Sequence, residues 1–334
     1  MGLFTKGRYN QLYDVVMAAK LLPINYIVVA GDIIESPEVR RIQNSRFDCI
    51  VDILKQAPCP VLYTRGNHDY NLDYRFNDEA NLTTYLDMYV SKRDWYDRIM
   101  KRTVHRDPNV VYDAANPMAS YYYIDDAVFK HRFIVLESFG TKETAGVPNY
   151  TVSEGVITWD FALSGVVAAA QVNWLIDEAM DMTGKTDWTV SIHSHTTPID
   201  AIWCHNYGTA QEGLADLFAA FKAGTDPGVL SIGGNNYEPD FTAQGAIALV
   251  GHFCGHIHDD GKIVEDDVDY VCCNCACASQ RTTWPEDLTP ASLPPARADF
   301  DYSAMSLNVF VVTPSARTVY MFKLGAGDDF NYSY

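Results

Sequence analysis

Apolar positions along this chain change spacing several times, and each change marks an element. Leu12, Val15, Val16, Ala19 and Leu22 recur at three- and four-residue intervals, which predicts a helix over 11–22 that Pro23 stops. Residues 26–30 (Tyr-Ile-Val-Val-Ala) form a short unbroken apolar run, the pattern of a strand buried on both faces, and it ends at Gly31-Asp32. A second helix is predicted over 48–56. A second strand follows over 60–64 and ends at Gly66-Asn67-His68-Asp69. Strand, helix and strand in that order predict a βαβ unit, with any site at the carboxyl ends of the strands.

From Tyr70 to about Pro117 the pattern loosens, and aromatic and charged residues mix, as at Tyr85, Tyr89, Trp95 and Tyr96. This reads as a helical insertion or cap, extending to about residue 165. Strands are expected over 120–124 and 132–138, a helix over 168–180, and a strand over 188–192 that ends in His193-Ser194-His195. A further helix is expected over 208–222, then a strand over 247–253 leading to Cys254-Gly255-His256-Ile257-His258. Residues 307–312 and 318–324 flank Pro314-Ser315-Ala316 as a terminal hairpin, within a C-terminal segment of about 300–334. No repeat or linker interrupts the alternation, so one α/β domain over 1–334 is the expected organisation.

Composition changes this picture little. The chain has 334 residues, 48% of them hydrophobic, enough for a substantial core. Its net charge of -18 disfavours nucleic acid as a partner, because phosphate backbones would be repelled. A small phosphorylated substrate is not disfavoured, since bound cations can dominate a local field. No run approaches a membrane span and no signal peptide is visible, so a cytoplasmic protein with no membrane partner is expected. Eight cysteines in a chain of this length need not be disulfides. The sequence does not define an oligomeric state.

The candidate chemistry lies at strand ends. Of nine histidines, His68, His193, His195, His252, His256 and His258 fall in three short segments. Asp, Asn and His are hard-to-borderline ligands that suit a divalent first-row ion. Strand-end loops can hold such groups rigidly and leave one face open to substrate.

The Gly31-Asp32, Gly66-Asn67-His68-Asp69 and Gly255-His256-Ile257-His258 motifs, with a strand ending in His between the last two, resemble the calcineurin-like metallophosphoesterases. The resemblance covers roughly 11–324. It implies a four-layer αββα sandwich and hydrolysis of a phosphomonoester or phosphodiester by metal-activated hydroxide. It also implies two divalent ions, of manganese, iron or zinc. Asp32 would bridge the ions. Asn67, His256 and one of His193 or His195 would complete one shell, and His258 would bind the other ion. His68 would act on the phosphoryl oxygen or leaving group, with Asp69 orienting it. His195 ranks ahead of His193 because Pro198 lies nearer to it.

The family pattern opens on a strand ending in Asp-x-His, and no such element precedes Gly31. The expectation is therefore one fully provided ion, a second keeping only Asp32 and His258, and reduced activity. The alternative function is a catalytically impaired binding or structural module of the same fold. A nuclease of this fold is disfavoured by the charge. His252 is expected to face the opposite side of its strand, and His105, His131 and His205 to be surface residues, although His205 could line the pocket. Cys273, Cys275 and Cys277 would share one strand face and pack, since the cluster lacks the CxxC spacing of zinc sites. Tyr121, Tyr122 and Tyr123 read as strand and core.

Overall fold

The computed structural model describes residues 9–34, 38–72, 76–139, 143–144, 146–159, 167–199, 213–256, 260–273, 306–325 and 328–334. Helices α1 (Tyr9–Leu21) and α2 (Arg40–Leu54) flank strand β1 (Ile27–Val29), and β2 (Val61–Tyr63) runs parallel to it with Val28 opposite Leu62. This is the βαβ unit expected from the two apolar runs. Helix α2 starts eight residues before the predicted 48.

Two short helices follow, α3 (Leu82–Met88) and α4 (Lys92–Arg98), then β3 (Val110–Tyr112), β4 (Tyr122–Asp126) and β5 (His131–Val135). Two small hairpins come next: β6 (Glu143–Thr144) with β7 (Val147–Pro148), and β8 (Tyr150–Ser153) with β9 (Val156–Trp159). Helix α5 (Ala169–Trp174) runs on into a π turn, Leu175–Ala179, and leads to β10 (Thr189–His193). Helix α6 (Leu214–Ala223), the hairpin of β11 (Leu230–Ile232) and β12 (Asn235–Tyr237), and β13 (Ala248–Cys254) follow. The chain closes on β14 (Gly261–Glu265), β15 (Val268–Cys272), β16 (Ser306–Thr313), β17 (Thr318–Gly325) and β18 (Phe330–Ser333).

The central sheet has seven strands in the order β14-β15-β13-β10-β5-β4-β3. Its middle pairs are parallel and its edges antiparallel. Strand β10 is buried along its whole length, and the two-residue period divides it between two faces. Val190 and Ile192 enter a core with Val172 and Leu175 of the α5 segment and Leu217 and Phe221 of α6. On the opposite face, Tyr122, Ile124 and Val135 pack with β1, β2 and residues of α1 and α2. Further along that face, Val250, Phe253 and Val271 pack on Val319 and Tyr332 of β17 and β18. The layers are therefore helix, small sheets, large sheet, helix: the four-layer αββα sandwich that the motifs imply.

Part of the expected insertion belongs to this core. Trp95, Ile99, Met100 and Val104 are fully buried with Phe47 of α2, and the Trp95 and Phe47 rings meet edge to face at 5.6 Å. The Ser91–Asp94 capping box starts α4 and fixes its direction.

His131 is buried, not on the surface as expected, because β5 is an interior strand. Its Nδ1 lies 2.6 Å from Thr189 Oγ1 and its Nε2 2.8 Å from Ser191 Oγ. Burial holds its imidazole down at about 4 and that of His252 at about 3, against an ordinary 6.5. Both are neutral in the folded protein. The unfolded chain takes up their protons below pH 6.5 and the folded chain does not. Their contribution to stability is complete above 6.5 and falls as pH drops toward 4, by about 1.4 kcal/mol per pH unit for each histidine. The urea midpoint should therefore fall between neutral pH and about pH 5, and less steeply in His131→Gln. An identical slope in the variant would contradict this assignment.

Candidate metal centre

Four strands of two different sheets end at the same place. After β1 the chain turns through Gly31 and Asp32, both with positive φ (86° and 51°). After β2 it passes Gly66 and Asn67 into the short 3-10 turn His68–Tyr70. After β10 it reaches His195, and after β13 it reaches His256, also with positive φ (68°). Left-handed backbone at an Asp and a His carries a conformational cost, and such residues gather at functional sites.

The four side chains converge. His195 Nε2 lies 3.0 Å from His256 Nδ1, 3.1 Å from Asn67 Oδ1 and 3.2 Å from Asp32 Oδ2. His256 Nδ1 is 3.0 Å from Asn67 Oδ1. A tetrahedral shell with metal–ligand bonds of about 2.0 Å has edges of about 3.3 Å. The separations fit that shell, and the donor set, one carboxylate, one amide oxygen and two imidazoles, suits a divalent first-row ion. Asp32, His195 and His256 are the group of three acid, His or Cys residues among the described ones whose ligand atoms could hold an ion together.

His195 is oriented for this role. Its Nδ1 is 2.6 Å from the Ala30 carbonyl oxygen and donates to it, which turns Nε2 toward the cluster. Its backbone N–H and that of Thr196 donate to Ser138 Oγ at 3.2 and 3.1 Å. Burial disfavours charge on His195, but the Asp32 carboxylate outweighs it and raises the imidazole above its ordinary range. Burial likewise opposes ionisation of Asp32, and His195 and His68 outweigh it, holding this carboxyl well below the usual carboxylate range. A carboxylate kept ionised among imidazoles is ready for a cation.

Asp69 does a different job from the one the resemblance implies. Its Oδ2 accepts the backbone N–H of Asp32 at 3.0 Å and of Gly66 at 2.8 Å, and its Oδ1 that of Ile34 at 3.2 Å. It ties the first loop to the second. Burial and the nearby Asp32 charge push its carboxyl up to about 7. His68 is half-buried at the rim, and its backbone N–H donates to Asp32 Oδ1 at 2.9 Å.

The structure does not bring His193 into the cluster. It is the last residue of β10, and strand alternation turns it into the space between the sheets. There it bonds Ser191 Oγ at 2.8 Å and stacks on Phe253 at 5.2 Å. Two residues later the strand has ended, and His195 is free to turn toward the loops. His252 faces the α6 side, beside Phe218, as its strand position suggests. His258, His205, Cys275 and Cys277 lie outside the described residues. Cys273 follows the end of β15, next to Cys272, which lies 3.2 Å from Cys254 across the sheet.

Three contributors were not singled out from the sequence. Ser138 closes the predicted strand 132–138, so its strand-end position was the available signal. Arg65 immediately precedes the Gly66-Asn67-His68-Asp69 motif. It is fully buried, stacks 3.6 Å over the Tyr70 ring and donates to the Val90 carbonyl at 2.5 Å, anchoring this loop to the segment before α4. Gly31 is the third. A Cβ there would sit 2.5 Å from His195 Nδ1 and 2.8 Å from Gly66 N.

Comparison with known proteins agrees with this centre. The sequence model of the calcineurin-like phosphoesterases matches residues 5–260, which include all four converging side chains. The chain belongs to that family. No curated protein matches it. Among 14 solved chains that are similar is TT1561 of Thermus thermophilus. That likeness covers 80% of this chain and 84% of the other, at 12% identity and a TM-score of 0.36. Among the described residues no helix is long and apolar enough to cross a membrane.

Proposed function

We propose that the protein is a divalent-cation-dependent hydrolase of a small phosphomonoester or phosphodiester, with manganese, iron or zinc as its ion. The observation that carries this reading is the convergence of Asp32, Asn67, His195 and His256 within 3.0–3.2 Å. A bound divalent cation supplies Lewis acidity and lowers the pKa of water at such a centre. The chain's own residues do the rest. Asp32 sets the negative charge, Asn67 and the two imidazoles fix the geometry, and Ser138 and the Ala30 carbonyl hold His195 in place. His68, at the rim beside Asp32, donates to the phosphoryl oxygens or the leaving oxygen of the bound ester.

Two measurements test this. Protein purified without chelator should hold a stoichiometric divalent metal by elemental analysis. With manganese supplied it should also hydrolyse a chromogenic nitrophenyl phosphomonoester or diester, and His256→Ala should lose both properties. A metal-free protein, or hydrolysis unchanged in His256→Ala, would overturn the reading.

His68 separates chemistry from metal binding. His68→Ala should lower kcat by about 100-fold, within the range for a lost acid or oxyanion donor. Metal content should stay at the wild-type level. Loss of metal as severe as in Asn67→Ala would make His68 a ligand instead.

A further inference from the structure

A second feature of this acidic protein is basic. A cavity of about 440 Å³ opens beside the start of α2, and its lining includes Arg40, Arg41, Asn44, Ser45, Asp87 and Arg98. It shares no residue with the metal centre.

The charges here lie against the helix. α2 begins without a side-chain cap and with no acidic residue in its first turn. Its first two positions are instead Arg40 and Arg41, at the end where the helix dipole is already positive. No carboxylate among the described residues neutralises these two cations. Arg40 Nη2 donates at 2.8 Å to the carbonyl of Leu86, a neutral acceptor, and its Nε is buried with no hydrogen-bond partner. Arg41 is exposed and has no ion pair among the described residues. Arg98 is held by Asp48 at 2.7 Å, but Asp48 is shared with Arg102.

Asn44 adds a second orphan to the same cavity, since its Oδ1 is buried and unpartnered. Buried polar atoms in folded proteins almost always have partners. Two without them, on one wall of a cavity with three guanidiniums, indicate a missing polar ligand. Forked guanidiniums and free helix-start N–H groups together suit a tetrahedral oxyanion. Asp87, the one carboxylate in the lining, repels a bare anion but would accept from a hydroxyl beside it.

We propose that this cavity binds a phosphomonoester. Arg40, Arg41 and the start of α2 take the phosphate, and Asn44, Ser45 and Asp87 take hydroxyls of the group that carries it. The proposal is independent of the hydrolytic reading and can be tested without the metal. Chelator-treated full-length protein is titrated calorimetrically with inorganic phosphate and with ribose 5-phosphate, because stripping the metal removes its own affinity for phosphate. Saturable binding is expected for both, tighter for ribose 5-phosphate and weaker at high salt. Arg41→Glu, at an exposed position, should keep the melting temperature and weaken both ligands by about 10- to 100-fold, the loss expected for a charge-assisted hydrogen bond. Absence of saturable heat in the wild type, or equal affinity in Arg41→Glu, would refute the site. Ribose 5-phosphate binding no tighter than inorganic phosphate would overturn the assignment to an ester.

Discussion

Asp32→Asn is expected to cut divalent-metal affinity by about 100-fold or more and to lower phosphoester hydrolysis to match. The substitution changes one atom and keeps the shape. Asn can still accept the His68 backbone N–H that Asp32 Oδ1 receives at 2.9 Å. It cannot supply the negative charge that faces His195 Nε2 at 3.2 Å. In the wild type that charge survives burial because imidazoles surround it. Without it the cluster is two imidazoles and two neutral amides, a poor match for a hard divalent ion. Metal titration in a weak-chelator buffer reads the affinity, and thermal melting of both proteins in chelator checks that the fold is kept. Wild-type affinity in Asp32→Asn would mean that Asp32 is not a ligand.

Gly66→Ala should be the most damaging small substitution near the centre. A Cβ at position 66 would fall inside the Asp32 backbone nitrogen and carboxylate, well within van der Waals contact. Asp32 cannot move away easily. Its N–H is bonded to Asp69, and the N–H of residue 66 is bonded to the same carboxylate oxygen. Either the loops part or the backbone strains, and a cost of roughly 3–5 kcal/mol is expected, at the severe end for single substitutions. The melting temperature should drop on the order of 5–10 °C, with loss of metal binding. A stable Gly66→Ala variant with its metal intact would show that the two loops are further apart than described.

Much of this architecture could be read from the sequence because the interior strands are continuous apolar runs with abrupt polar ends. Residues 26–30, 60–64, 188–192 and 247–253 were each placed within a residue or two of β1, β2, β10 and β13. The start of α2 was missed for a physical reason. Residues 40–46 hold one apolar side chain, Ile42, and periodicity emerges only where Phe47, Ile50 and Val51 enter the core. Tertiary packing carries that helix backward into a polar stretch. The hairpin β8–β9 was also missed, because Tyr150–Ser153 is exposed on most of its length and gives no clear alternation.

The site was legible in part. Asp32, Asn67, His195 and His256 meet because their strands end together, and the motifs announced those ends. The choice between His193 and His195 needed the coordinates. Both are buried, and only the exact end of β10 decides which imidazole turns inward between the sheets and which turns to the loops. The partners of Asp69 were not legible at all. It bonds amide hydrogens of the main chain, and these leave no mark in the residue types of the positions that provide them.

That choice of partner separates the shape of the centre from the identity of its neighbours. A carboxylate that grips backbone N–H groups of Asp32, Ile34 and Gly66 does not depend on the side chain at Ile34, and any non-proline residue offers the same donor there. The first loop can therefore drift in sequence, or be redesigned to admit a different substrate, while the spacing of its metal-facing groups is inherited unchanged. The acid that preserves this freedom is itself the one residue in the arrangement with no equivalent substitute.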